Sequence, residues 1–182
     1  TVTPKAGTCS GASFTVTVTV NPKPFVSPRT ETICSGGTFT VNPINSAPTA
    51  ATIVPSGTTY SWSAPVVSGI TGTASGTAQS TISGSLINST NAPINVVYTI
   101  TPTSGASGNC VGSSFTLTVT VNPTPYVSDQ TASSCSGTAF TVAPLNGGST
   151  SNIVPTGITY SWSAPTVTGG LTGGVSAIGQ TI

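Results

Sequence analysis

The chain matches itself. Cys9 and Cys110, Phe14 and Phe115, Cys34 and Cys135, and Phe39 and Phe140 each lie 101 residues apart. Tyr60/Tyr160 and Trp62/Trp162 lie 100 apart, so one residue drops out between Val142 and Val154. The matches are long: ICSGGTFTVNPIN against SCSGTAFTVAPLN, and IVPSGTTYSWSAPVV against IVPTGITYSWSAPTV. A period near 100 exceeds the ~20 to 50 residues of solenoid and propeller repeats. It suits one small globular domain per repeat. The 182 residues then divide into the C-terminal strands of a preceding repeat (1–22), one complete repeat (23–122) and the N-terminal part of the next (123–182). Such a window reads as part of a longer tandem array.

No segment of the complete repeat has helical period. Strands are predicted over 25–33, 38–41, 58–63, 79–87, 95–101 and 113–121, separated by Gly, Pro, Ser and Asn clusters. This pattern is that of an antiparallel β-sandwich. In Phe115-Thr116-Leu117-Thr118-Val119-Thr120-Val121 apolar and threonine residues alternate strictly, which predicts one buried face and one wet face. Tyr60 and Trp62, two apart, point to one side of their strand. With Tyr98, and with Tyr160 and Trp162 in the next repeat, they are the expected core aromatics. A sugar-stacking platform is the other use of such a pair, although one Trp per repeat is too few to line a groove. SFTVTVTVNPKPFVS and SFTLTVTVNPTPYVS mark the domain boundaries: a closing strand, a stiff joint and the next opening strand. The joints are Pro22, Pro24 and Phe25, and Pro123, Pro125 and Tyr126. Each proline fixes φ and favours extended geometry in its predecessor, limiting bending.

Charge is nearly absent: Lys5, Lys23, Arg29, Glu31 and Asp129 are the whole complement. Globular proteins average about a quarter charged residues, so Thr, Ser, Asn and Gly must carry this surface. The abundance of β-branched residues argues for a folded chain rather than a disordered one. A net charge of +1 leaves no basic face for nucleic acid and no polybasic patch for anionic lipid. No run of ~18 apolar residues predicts a membrane span. With no His, one Glu and one Asp, no triad, carboxylate pair or metal cluster can be assembled within a repeat. No enzyme and no cofactor are expected. Calcium wants about six to eight oxygens, mostly from carboxylates, so any rod built from these repeats is expected to be calcium-independent. Asn88-Ser89-Thr90 matches a glycosylation sequon and reads as a chance match.

Four cysteines without Met or His suit an exported protein, where thiols are expected to be disulfide-bonded. Cys34 with Cys110 is the plain pairing within a repeat. Cys9 with Cys34 and Cys110 with Cys135 share a spacing of 25 and would staple neighbours. The first and last turns of a seven-strand sandwich lie at opposite ends. That geometry separates Cys34 from Cys110 and would pair Cys34 with a cysteine of a following domain instead. Composition and topology thus point to different partners.

The turns Cys34-Ser35-Gly36 and Cys135-Ser136-Gly137, the TYSWSAP strand, YTITPTSG (98–105), GNCVGSSFTLTVTVNP (108–123) and the joints together resemble the PKD-like, immunoglobulin-like repeats of large Bacteroidetes surface proteins. These include the giant SprB-type gliding adhesins. The resemblance implies tandem immunoglobulin-like sandwiches in a long filament or stalk on the outer surface of a Gram-negative bacterium, exported through the type IX system. Within it the repeat would be a rigid spacer whose partners are its neighbours, with surface polysaccharide or other cell-surface proteins as further contacts. Two other readings stand beside this one: a carbohydrate- or surface-binding module, and an accessory domain of a secreted enzyme. A strand-exchange variant is a further possibility, since 1–22 contains closing strands that the segment after Thr124 lacks.

Overall fold

The computed structural model describes residues 1–105, 108–147, 151–167, 169–170 and 172–180, and every named element is a strand. An N-terminal hairpin pairs β1 (Lys5–Ala6) with β2 (Cys9–Ser10). Then come β3 (Arg29–Cys34), β4 (Thr38–Val41), β5 (Thr59–Trp62), β6 (Ile70–Thr71), β7 (Gly76–Gln79), β8 (Ile82–Ser85), β9 (Ile87–Asn88), β10 (Ile94–Thr103) and β11 (Phe115–Asn122). The chain closes with β12 (Tyr160–Trp162) and β13 (Ala177–Gln180).

The core of this all-β domain lies entirely between Val26 and Val121. A five-stranded sheet runs in the order β3-β11-β10-β5-β7, and the short ladders β4–β8 and β6–β9 contribute to the same core. The alternation in β11 does what its period requires. Phe115, Leu117, Val119 and Val121 are buried, while Thr116, Thr118 and Thr120 face outward. β10 alternates in step, with Val96, Tyr98 and Ile100 inward, and pairs antiparallel with β11 from Ile94↔Val121 to Ile100↔Phe115. Phe39 of β4 meets Tyr98 with ring centroids 5.7 Å apart, and Tyr60 meets Phe115 edge-on at 6.4 Å. Such pairs add about 0.5–1.5 kcal/mol to what burial contributes.

The first and last strands of the unit are neighbours: β3 lies parallel to β11, from Leu117↔Arg29 to Asn122↔Cys34. This register sets Arg29 and Glu31 opposite Leu117 and Val119, on the inward row of an edge strand. Inward-pointing charge at a sheet edge discourages a further strand from adding there. Burial pushes the Tyr60 and Tyr98 phenols above their ordinary range, partly offset at Tyr60 by the nearby Arg29 guanidinium. A raised folded-state value means the unfolded chain ionises first. The stability linked to these two tyrosines is therefore complete below about pH 10 and is lost as pH climbs through the folded-state values. Urea midpoints should fall on that alkaline side, and Tyr98→Phe should blunt the fall.

The predicted strand over 79–87 is instead three short pieces, β7, β8 and β9, that serve three different ladders. Ala78 of β7 carries a positive φ of 50° beside a register shift against β5. Its counterpart in β13 is Gly179, at φ 65°. A left-handed backbone disfavours Cβ, so Ala78→Gly should stabilise the domain by about 0.5–1 kcal/mol in denaturant titrations.

The expected disulfides do not form: all four cysteines are free, Cys9, Cys34 and Cys135 exposed and Cys110 half-buried. Sheet topology gives the reason. Cys34 pairs with Asn122 at the far end of β11, whereas Cys110 lies before its start. Seven strand steps of about 3.4 Å separate the ends of β11 by about 24 Å, against a Cα limit near 7 Å for a disulfide.

Candidate functional site: the proline joints

The core takes up Phe39, Tyr60, Tyr98 and Phe115, with Trp62 packed against it, and leaves Phe25 exposed at the entry to the domain, so the distinctive geometry lies at the two ends. Pro24 is fully buried and Val26 is a core residue, so the first joint belongs to the domain that follows it. Phe25 is tied by a two-way bridge, its N–H donating to Ile53 O at 2.9 Å and its carbonyl accepting from Ile53 N–H at 2.7 Å. Its ring stays largely exposed. Pro24 packs under the β10–β11 turn, against Gly112 and Pro102, and Gly112 has no room for a side chain because a methyl there would overlap the Pro24 carbonyl. Pro22 is exposed.

At the second joint the same bridge recurs. Tyr126 N–H donates to Ile153 O at 3.0 Å and Ile153 N–H returns a bond of 2.8 Å, with the Tyr126 ring 55 % exposed. Upstream, the joint is held to the domain it leaves. Ser35 N–H donates to Asn122 O at 2.8 Å, and the Thr124 hydroxyl donates to Ser35 O at 3.1 Å. Pro123 is half-buried and Pro125 exposed. Pro93, Pro123, Pro125, Pro155 and Ile158 line a cleft of about 350 Å³ beside the segment that follows β11. Four of these five side chains are proline rings, which lose little rotamer freedom on packing.

Asn88, the sequon residue, is the polar anchor of this end. It is 1 % exposed, and its amide donates to Ala92 O and Val121 O, both at 2.8 Å. Its Oδ1 accepts from the Thr90 N–H at 2.9 Å and the Thr90 hydroxyl at 2.8 Å. The Ser35 hydroxyl accepts from Asn88 N–H and donates to Asn88 O. With both amide hydrogens engaged inside the fold, the side chain offers nothing for glycan attachment. Sequence reading missed this role, since its only local signal is the Asn-Ser-Thr-Asn turn cluster.

Of the aromatics singled out by sequence, Tyr60 and Tyr98 are buried, and Trp62 packs at the edge of the core. The Trp62 Nε1–H donates to Ala74 O at 3.0 Å and its ring lies over Gly76. A shallow cleft of about 630 Å³ beside it opens on the hydroxyl face at Ser61, Thr77, Thr99 and Thr101. Tyr160 is half-buried and Trp162 is 45 % exposed, so these two lie outside the core. Their local geometry nevertheless copies the complete unit. Trp162 Nε1–H donates to Val175 O, and Gly179 N–H donates to the Ser161 hydroxyl as Ala78 N–H does to Ser61. Ser46 N–H reaches Thr52 O across six residues and Gly147 N–H reaches Asn152 O across five, which places the dropped residue in that loop.

Among the described residues no three metal-ligating side chains cluster, and no helix is long and apolar enough to cross a membrane. The geometry defines a class: an all-β structural domain whose specialised contacts are at its ends. A comparison with known protein families matches residues 31–125, just over half of the chain, to the PKD-like domain. The chain belongs to that family, and its domain is a non-catalytic structural one. Neither the curated proteins nor the solved structures contain a match.

Proposed function

We propose that this PKD-like unit is one link of a tandem array, a rigid spacer in a long adhesive filament on the outer surface of a Gram-negative bacterium. The gliding adhesins that the sequence resembles are filaments of this kind, and export through the type IX system belongs to the same reading. The partners of each unit are its neighbours along the chain. Contacts with surface polysaccharide or other cell-surface proteins fall to other parts of the filament.

The observation that supports this reading most is the joint. Phe25 with Ile53 and Tyr126 with Ile153 form the same two-way bridge at equivalent positions, so each linker is fastened to the unit after it. Only Pro123, Thr124 and Pro125 then separate β11 from the bridge at Tyr126, too short a link to act as a free tether. Near-absence of charge and of reactive side chains suits a spacer. Small-angle scattering from a protein with three complete repeats should give a rod-like distance distribution. Replacing Pro123 and Pro125 by Gly should broaden it, and a compact or freely jointed wild type would refute the proposal.

A further inference from the structure

The two joints differ at the residue between their prolines. Asn-Pro-Lys-Pro occupies 21–24 and Asn-Pro-Thr-Pro occupies 122–125, so Lys23 and Thr124 hold the same place. At the second joint that residue fastens the exit of the domain, through a bond from the Thr124 hydroxyl to Ser35 O at 3.1 Å.

Both halves of this contact are held in place by bonds other than the one they share. Ser35 N–H donates to Asn122 O at 2.8 Å, and the Ser35 hydroxyl is bound both ways to the backbone of Asn88. Gly36 N–H donates to Leu86 O at 2.8 Å. In a trans peptide the carbonyl and the following N–H point in opposite directions, so the bond to Leu86 turns Ser35 O the other way, toward the joint. On the donor side, Pro123 has its φ fixed by its ring and Pro125 favours extended geometry at Thr124. The β-branch of Thr124 restricts its χ1 as well. The hydroxyl therefore meets its acceptor with little freedom left to lose.

Lysine has no equivalent donor. Its ammonium sits at the end of a flexible four-carbon stem, which loses more rotamer freedom than almost any other side chain when pinned. The acceptor turn does not vary with the joint: Cys135-Ser136-Gly137 keeps the sequence of Cys34-Ser35-Gly36 and the positive φ of its glycine, 78° against 82°. We infer that the residue between the two prolines sets the stiffness of the joint. Threonine there latches the exit linker to the β3–β4 turn, and a joint with lysine in that place is unlatched. An array with both has stiff and compliant joints. The use of such joints rests on the spacer reading, while the latch itself lies within the matched domain.

Nitrogen relaxation of the full chain should place the Thr124 N–H in the rigid range, with an order parameter of about 0.85. Thr124→Val keeps the shape and removes the hydroxyl, and Thr124→Lys makes the second joint like the first. Each should raise the unlatched population roughly fivefold and bring the order parameter toward the flexible range below about 0.6. Thr124→Ser, which keeps the hydroxyl, should stay close to wild type. All three should melt as the wild type does, since Thr124 is exposed and outside the core. Rod-like scattering reads the spacer function, whereas relaxation at residue 124 reads the latch alone, so the two can fail separately. Wild-type order in Thr124→Val or in Thr124→Lys overturns the inference. So does a Thr124→Ser protein as mobile as Thr124→Val, because the methyl group would then be the fastening.

Discussion

Asn88→Ala should cost the central unit about 3 kcal/mol and lower its melting temperature by roughly 15 °C. The substitution removes the donor to the buried carbonyl of Val121, the donor to the Ala92 carbonyl, which the Thr90 hydroxyl also reaches at 3.0 Å, and both acceptor bonds from Thr90. A buried carbonyl that loses a donor, as Val121 does, costs about 1–3 kcal/mol, more than the net worth of the bond itself. Asn88→Asp separates lost shape from lost donors. It keeps the size and the Thr90 contacts but sets a carboxylate against two carbonyl oxygens. At neutral pH it should be worse than Ala, and it should recover in part on acidification, when the carboxyl can again donate. Thermal melts of the three proteins at pH 7 and pH 4 check the ranking. Equal melting temperatures for wild type and Asn88→Ala would show that the bonds to β11 and the 90–92 loop do not hold this end together.

Gly112→Ala should destabilise the central unit severely, by about 3 kcal/mol or more. The added carbon would overlap the Pro24 carbonyl oxygen and approach Pro102 Cγ at 2.9 Å and Pro24 Cγ at 3.0 Å. Two of these neighbours are ring carbons and the third is backbone, so none can swing aside as a flexible side chain would. Relief requires lifting the Pro24–Val26 segment off the β10–β11 turn, which exposes the Val26 side chain. The matched control is Gly11→Ala. Gly11 N–H donates to Pro4 O as Gly112 N–H does to Pro102 O, and a methyl at Gly11 meets Pro4 alone, Cγ at 3.1 Å, O at 3.6 Å and Cδ at 3.9 Å. Gly11→Ala should leave the central melt unchanged.

The parts of this fold that can be read in the sequence are those whose pattern repeats over many residues. β10 and β11 declare themselves because one face is buried and the other wet along their whole length. β6 and β9 are two residues each, too short for any period to register. β7, β8 and β9 merged into one predicted strand because Thr and Ser fill their turns as well as their faces. β3 shows no apolar alternation before Ile33, since its inward row begins with Arg29 and Glu31, so its direction relative to β11 could not be foreseen. The cysteines were misjudged for a related reason. Composition speaks of the compartment, but only strand order tells how far apart two residues finish. Asn88 was invisible because its key partner, Val121, lies 33 residues away. The joints, by contrast, were legible from proline spacing, although not that Pro24 would lie buried within the domain after it.

The parallel pairing of β3 with β11 has a mechanical consequence. Both strands run toward the same end of the unit, yet tension along the chain would reach them from opposite ends, at the start of β3 and the finish of β11. The two strands are then drawn past each other along their length. The bonds between Leu117↔Arg29 and Asn122↔Cys34 bear the load together rather than one after another. A bond row loaded in shear must fail as a group, which raises the barrier to forced extension and slows the unfolding rate that governs survival under force. The core strands β10 and β5 lie behind that seam and carry no direct load until it parts.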